Sequence, residues 1–286
     1  FIPMLMGFGC NVPAIMATRT LESRKDRILT ILMTPFMSCS ARLPVYIVLA
    51  GSFFADKAGS IIFGLYFMGI IIAILSGRVL RRILFKGEEA PFIMELPPYR
   101  VPMLKSLMIH MWDRSKMFLK KMGGVILVGS IIIWVLSNFP RETSYSPEMN
   151  HQQEQERIAG SYIGRMGKAL EPVFAPIGIG WQASVALVSG FVAKEVVVST
   201  MGVLYGVGNE GGDALEKALK NSGMTPLSAL SIMVFVLLYV PCFATVMTIY
   251  REASAVWAGF NLIYTTMVAW CMSFLVYRTG LLLGAG

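Results

Sequence analysis

The stretch Gly7-Phe8-Gly9-Cys10-Asn11-Val12-Pro13 lies in an apolar run and yet is built to interrupt a helix. Gly7 and Gly9 weaken helical structure. Pro13 is expected to end it, since it has no amide to give and its ring does not fit a regular turn. In hydrocarbon an unpaired main-chain carbonyl is costly, so such a break is tolerated only where it lines a cavity or faces protein. A thiol and a carboxamide at the break point to a site that handles an ion or a solute. The pattern returns as Gly190-Phe191-Val192-Ala193-Lys194-Glu195, now with two charges inside an apolar run. Two interrupted spans in one chain is how many transporters are built.

Composition agrees with that reading. The 286 residues are 55% hydrophobic and 15% charged, with a mean hydropathy of +0.63. Soluble domains carry about 25% charged residues, so the chain is expected to be an integral membrane protein. It opens on Phe1 and is apolar from its first residues, as expected of a fragment lacking its upstream part; no signal peptide is read. The net charge of +8 does not call for nucleic acid, because the basic residues gather in loops beside apolar spans. Cys10, Cys39, Cys242 and Cys271 all lie in apolar segments without CxxC spacing, and reduced thiols are expected.

Stretches of roughly 20 apolar residues match the bilayer core. Spans are expected over 28–54, 58–85, 123–139, 181–205, 227–250 and 255–283. The first holds Pro35 and Pro44 on either side of Cys39, and the fifth is broken near Pro241-Cys242. Pro91, Pro97, Pro98 and Pro102 keep 87–103 from being one helix. An amphipathic helix over 105–121, with Trp112 and Phe118 among lysines and arginines, is expected to lie at the interface. Residues 140–160 read as a solvated loop, 158–179 as an interfacial or re-entrant helix, and 207–225 as a Gly-rich loop with a short polar helix. Ten Lys/Arg in 78–121, together with Arg19, Arg24, Lys25 and Arg27, place those loops in the cytoplasm. Loop 140–160, with only Arg141 and Arg157, falls outside, and the sixth span is expected to return the C-terminus to the cytoplasm.

Thiolates suit Fe²⁺, Zn²⁺ or Cu⁺ and poorly suit Mg²⁺ or Ca²⁺. Cys10, Cys39 and Cys242 each sit beside a Pro or Gly break, where carbonyls would join them; packing as small apolar residues is the competing role. For Cys271, in an unbroken span, packing is the expected role. Glu195 is expected to be a cation ligand or proton carrier, because a carboxylate within the membrane is a functional group by default. On the competing reading, Lys194 reaches for the interface and Glu195 finds a partner within the bundle. Arg42 is left to pair with Glu195 or to reach the interface. His110 and His151 fall outside the spans, which argues against a bis-His haem, and the 20 methionines show no repeated spacing. There is no GxxxxGK[ST] loop, HExxH or GxSxG; Gly206-Val207-Gly208-Asn209-Glu210-Gly211-Gly212 lacks the Lys and Ser/Thr of a phosphate loop. The chain alone is therefore not expected to be an enzyme.

Several of these segments resemble, in order, the signatures of the bacterial ferrous iron transport protein B family. They are Gly7 to Ala14 with Ala17-Thr18-Arg19, the run Pro35 to Tyr46, Glu95-Leu96-Pro97-Pro98-Tyr99-Arg100, Gly190 to Glu195, and Pro241-Cys242-Phe243-Ala244-Thr245. The resemblance implies an all-α membrane protein: a polytopic helical bundle with broken gate helices and an interfacial amphipathic helix. It implies a multi-pass permease of the bacterial inner membrane that imports Fe²⁺ as its transported substrate. By the same resemblance, residues 1–86 hold the remainder of a first gate region and two spans. Residues 87–121 form a cytoplasmic Pro-rich segment with the interfacial helix, and 122–286 the second gate region with the C-terminal spans. GTP and Mg²⁺ would act only through an N-terminal GTP-binding domain absent from this chain; from charge and chain direction, the basic loops 19–27 and 78–121 are where it is expected to dock. Other implied partners are the lipid bilayer, small accessory Feo proteins and a second copy in a homo-oligomer. The transport path implied consists of Cys10, Cys39, Cys242, Glu195 and Asn11.

Two other readings remain at this stage. The family's gate regions are similar to segments of nucleoside transporters, so a carrier of an organic solute using Asn11, Glu195 and aromatic residues is the alternative. A membrane scaffold would show uninterrupted helices and no polar site at Cys10 or Glu195.

Overall fold

The computed structural model describes residues 2–84, 160–205 and 224–284, with scattered residues across 103–139 and 215–220. Every regular element among them is helical: α1 (Ile2–Gly7), α2 (Asn11–Ala17), α3 (Arg24–Met33), α4 (Leu43–Phe54), α5 (Ala58–Leu84), α6 (Tyr162–Phe174), α7 (Trp181–Ser189), α8 (Val196–Leu204), α9 (Pro226–Leu238), α10 (Phe243–Glu252) and α11 (Ala255–Leu282). Thr225, with Pro226 in the first turn behind it, caps α9 by accepting from the Ser228 amide at 3.1 Å. Ser23, Ser161 and Ser254 cap α3, α6 and α11 in the same way.

These helices repeat one order twice: a helix pair, a broken span, an unbroken span. In the first half the pair is α1–α2, the broken span is α3–α4, and α5 returns beside it. Met33 lies against Gly77, the Phe36 carbonyl against Gly69, and Tyr46 against Tyr66, so α3–α4 runs antiparallel to α5. In the second half the pair is α7–α8, the broken span α9–α10, and α11 returns. Leu227 meets Gly280, Ser273 Oγ donates to the Ser231 carbonyl at 3.1 Å, and Ile249 packs with Ala258.

The halves are inverted with respect to each other. Glu252, at the end of α10, bonds Arg27 at the start of α3, and Trp257 and Phe260 of α11 pack around Ile28, Leu32 and Leu80. The start of α3, the end of α5 and the α10–α11 turn therefore share one face, and it is the basic one, holding Arg19, Arg24, Arg27, Arg81 and Arg82. The α4–α5 turn, the start of α9 and the end of α11 lie at the other face. At 1.5 Å per residue, α5 and α11 each reach about 40 Å, enough for a hydrocarbon core of about 30 Å. Arg24–Leu84, Pro226–Glu252 and Ala255–Leu282 contain the segments long and apolar enough to cross a membrane.

Two expectations are corrected here. Residues 181–205 do not form a span. Leu204 packs on Val185, Thr200 bonds Ser189 at 3.0 Å, and Val197 lies against Gly190, so α8 folds back along α7 as a hairpin. At nine residues each, these helices reach only about 14 Å. From the turn at the basic face, α11 runs to the opposite one, where Gly280 meets Leu227. Pro13 is the other correction. It is the third residue of α2, where its missing amide is one that the first turn leaves unpaired anyway, so the helix starts through it.

Ahead of the hairpin, α6 ends in a 3₁₀ turn over Ala175–Ile177, and Gly178 (φ +72°) turns the chain so that α6 and α7 meet at 109°. The segment 158–179, where it is described, is thus a helix that meets α7 at a sharp bend. The expected Pro-rich stretch 87–103, apart from Met103, and the solvated loop 140–160, apart from Gly160, lie outside the described residues. So do most of the expected span 123–139 and of the Gly-rich loop 207–225. Of the expected amphipathic helix 105–121, residues 105, 106, 108, 109, 111–113 and 116 are described and helical, with Met108, Ile109, Met111 and Trp112 exposed.

Candidate functional site

Four breaks interrupt the helices, at Phe8–Cys10, Met37–Cys39, Gly190–Glu195 and Tyr239–Cys242, and hydrogen bonds tie them together in two pairs. Ser40 donates its amide (3.3 Å) and its hydroxyl (2.9 Å) to the Gly9 carbonyl, joining the first break to the second. Phe243 N–H donates to the Phe191 carbonyl at 2.8 Å, and the Lys194 amine to the Val240 carbonyl at 2.9 Å, joining the third to the fourth. Phe191 and Phe243 add an edge-on ring contact at the same junction.

Each of the three expected thiols stands at the cap position that follows a break. Cys10 precedes α2 with extended backbone (φ −153°, ψ 134°), Cys39 precedes the 3₁₀ turn Ser40–Arg42, and Cys242 precedes α10. None of them makes a side-chain cap hydrogen bond as Ser or Thr would. All three are free thiols, partly exposed, and Cys242 Sγ lies 3.2 Å from Thr245 Oγ1. Cys10 is within electrostatic range of Cys39, Cys242 and Glu195. The four residues share one neighbourhood. They do not form a closed metal cage: among the described residues, no three His, Cys, Asp or Glu side chains are grouped to hold a metal ion.

Asn11 is buried at the start of α2, and its carboxamide oxygen has no hydrogen-bond partner. Leaving such an acceptor unpaired costs free energy, so an unpaired one beside a break is an available ligand. Cys271, expected to be a packing residue, instead lies exposed on the outer side of α11, away from the breaks.

The two basic residues behave differently from either reading of the sequence. Lys194 does not reach the interface; it is 2% exposed, with its amine 3.3 Å from the centre of the Tyr239 ring, while Glu195 is the exposed member of the pair. Arg42, completely buried, neither pairs with Glu195 nor reaches an interface. Its two terminal nitrogens donate to the Met37 and Pro35 carbonyls, each at 3.1 Å. Of the carbonyls expected to join the thiols as ligands, those of Pro35, Met37 and Val240 are thus taken. A cation a few residues after a proline-broken run was the available signal.

At the basic face Glu252 accepts from both Arg19 and Arg27, with 2.8 Å to Arg19 Nε and 2.7 Å to Arg27 Nη2. This cluster ties the turn after α2 and the start of α3 to the end of α10, and so one half to the other. It borders a cavity of about 350 Å³ lined by Glu22, Arg24 and Ile28. Sequence reading missed it, since nothing in the order of residues pairs position 19 with 252.

Inverted halves, short hairpins and converging breaks define a polytopic, all-α membrane protein of the gated type. Residues 1–53 and 119–256 match the family model described as Gate, nucleoside recognition, and residues 62–114 match that of the ferrous iron transport protein B C terminus. The chain belongs to this family, as the gate-bearing C-terminal region of ferrous iron transport protein B. It is 48% identical to the Fe(2+) transport protein A/Fe(2+) transporter FeoB fusion protein of Porphyromonas gingivalis, over 99% of this chain and 38% of that protein. It is 41% identical to the Fe(2+) transporter FeoB of Campylobacter jejuni, over 96% of this chain and 45% of that one. With that of Methanocaldococcus jannaschii it shares 42%, over 99% of this chain and 41% of the relative. The chain thus spans less than half the length of these curated relatives. No solved structure matches it.

Proposed function

We propose that this chain is the permeation core of a ferrous iron importer of the cytoplasmic membrane. The observation that carries the reading is the convergence of Cys10, Cys39 and Cys242, each at a helix break and each left uncapped. Membership of the ferrous iron transport family supports Fe²⁺ as the substrate. A borderline-soft cation can exchange part of its water shell for sulfur, with the Asn11 oxygen and the exposed Glu195 carboxylate as further ligands. Because no closed cage exists among the described residues, binding is weak and successive, which suits passage more than storage. The basic face is cytoplasmic by the positive-inside rule, so α11 ends on the opposite side of the membrane. A GTP-binding domain elsewhere in the longer protein would act on the basic face, where the Arg19–Glu252–Arg27 cluster joins the two halves. Accessory Feo proteins and self-association belong to that longer protein as well.

The test is anaerobic ⁵⁵Fe²⁺ uptake into proteoliposomes holding the full-length protein. Cys10→Ser, Cys39→Ser, Cys242→Ser and Glu195→Gln are expected to lower uptake, Asn11→Ala to raise the half-saturating Fe²⁺ concentration, and Cys271→Ser to change nothing. Unchanged uptake in all three gate-cysteine variants would remove sulfur from the path. The organic-solute reading would then be tested directly with labelled nucleosides.

A further inference from the structure

Lys194 and Arg42 are the two basic side chains buried at the breaks, and neither meets a carboxylate in an ion pair among the described residues. A buried basic group without a carboxylate partner is expensive, so its retention calls for another account. Both do one thing. Arg42 holds the Met37 and Pro35 carbonyls at the second break, each at 3.1 Å, and Lys194 holds the Val240 carbonyl at the fourth, at 2.9 Å. Main-chain carbonyls freed by a helix break are the ligands that Na⁺, K⁺ and Ca²⁺ prefer, and discontinuous helices in carriers often bind such ions with them. The Lys194 amine, placed between a carbonyl and the Tyr239 ring face, occupies the position that a dehydrated alkali ion would take.

We propose that Lys194 and Arg42 are specificity-determining residues that exclude hard cations from the helix breaks. They do so by occupying, with their own nitrogens, the carbonyls such ions would use. With those oxygens withdrawn, fewer hard donors are left beside Cys39 and Cys242, each two residues beyond a held carbonyl. Only a cation that accepts sulfur is drawn in. The inference rests on the permeation reading but adds to it, because thiols alone would not keep Na⁺, in large excess, from unprotected carbonyls.

The experiment uses full-length protein, wild type beside Lys194→Met, Lys194→Arg and Arg42→Lys. Lys194→Met keeps the volume and loses the donor. Lys194→Arg keeps a donor. Arg42→Lys keeps the charge and loses the planar fork that meets two carbonyls at once. The first readout is ²²Na⁺ uptake into proteoliposomes; the second is thermal unfolding in detergent with NaCl against choline chloride at equal ionic strength. Lys194→Met and Arg42→Lys are expected to take up Na⁺ about tenfold faster than wild type, a factor equivalent to 1.4 kcal/mol. They should also be stabilised specifically by Na⁺, while Lys194→Arg behaves as wild type. Should Lys194→Met not fold, Arg42→Lys decides alone. Na⁺ uptake and Na⁺ response unchanged from wild type in the folded variants would overturn the proposal. Fe²⁺ uptake by the wild-type vesicles is measured in parallel, so failure of the permeation reading shows separately as wild type that moves no iron.

Discussion

Gly69 and Gly64 stand on the same helix, α5, and an alanine at each should move stability in opposite directions. At Gly69 an added Cβ would sit 2.8 Å from the Phe36 carbonyl oxygen and 3.3 Å from Leu237. The first neighbour is backbone, at the entrance to the Met37–Cys39 break, and cannot swing aside as a side-chain end would. Overpacking of this kind costs about 1–3 kcal/mol. Gly to Ala inside a helix returns about 0.5–1 kcal/mol, so Gly69→Ala is expected to lose about 1–2 kcal/mol net. At Gly64 nothing lies within 4 Å of the added carbon, and only the helical gain of about 0.5–1 kcal/mol remains. Thermal unfolding of the purified full-length variants in one detergent gives the ranking Gly64→Ala above wild type above Gly69→Ala. Because the displaced carbonyl lies at the entrance to the break that carries Cys39, Gly69→Ala should slow Fe²⁺ uptake and Gly64→Ala should not. An equal or higher unfolding temperature for Gly69→Ala would refute the close packing of α5 on the second break.

Three further outcomes are expected. Gly178→Ala combines a left-handed backbone (φ +72°) with a Cβ 2.2 Å from the Tyr277 ring, whereas Gly284→Ala has a similar φ (+73°) and open space. The first should lose more than the roughly 1–2 kcal/mol that left-handed geometry alone costs, and the second no more than that, again read by thermal unfolding. A double-mutant cycle at Glu252 should find about 1 kcal/mol of coupling to Arg27, whose side chain is 30% exposed, and about 0.5 kcal/mol or less to Arg19, at 57%. Both should shrink in high salt. Finally, a small epitope inserted in the α4–α5 turn after Asp56 and one placed after Gly284 should be reached from the same side of the membrane in oriented vesicles, and one inserted after Glu22 from the other. Reaching the Glu22 and Gly284 epitopes from one side would refute the inverted arrangement.

Much of this was legible in the residues. Glycine or proline in or near an apolar run marked all four breaks, beside cysteine at Cys10 and Cys242, because the backbone cost they register is local and needs no knowledge of neighbours. What failed was whatever depends on how the chain continues past a break. An apolar run of 25 residues is hydropathically the same whether it crosses the bilayer or turns back at its middle, so 181–205 read as a span. Pro13 was misjudged by position alone: three residues earlier or later in a helix, the same ring either starts it or breaks it. For Lys194 and Glu195, the sequence placed both in an apolar run, but Gly190–Glu195 is not helical, and the turn buries the lysine and exposes the glutamate.

The asymmetry between the two inverted halves is informative in itself. Each half leaves carbonyls bare at its broken span and each covers them with a basic side chain, but the cover comes from different places. In the first half Arg42 sits on the broken span itself, five and seven residues after the carbonyls it holds, so that lock is intrinsic to one strand of chain. In the second half Lys194 belongs to the hairpin, and the Val240 carbonyl to the broken span 46 residues away. Any movement of the hairpin relative to α9–α10 must therefore either carry α9–α10 along or uncover a carbonyl, while the first break stays covered throughout. The hairpin is joined to α9–α10 at this point by three hydrogen bonds, from Lys194 to Val240, from Phe243 to Phe191 and, at 3.5 Å, from the Tyr239 hydroxyl to the Leu187 carbonyl. With net values of about 0.5–1.5 kcal/mol for each, their loss is within reach of what a ligand can repay. Of the two halves, the second is thus the one whose geometry permits a gate, and Cys242, one residue from the uncovered Pro241 and two from Val240, is the thiol whose surroundings would change when it opens.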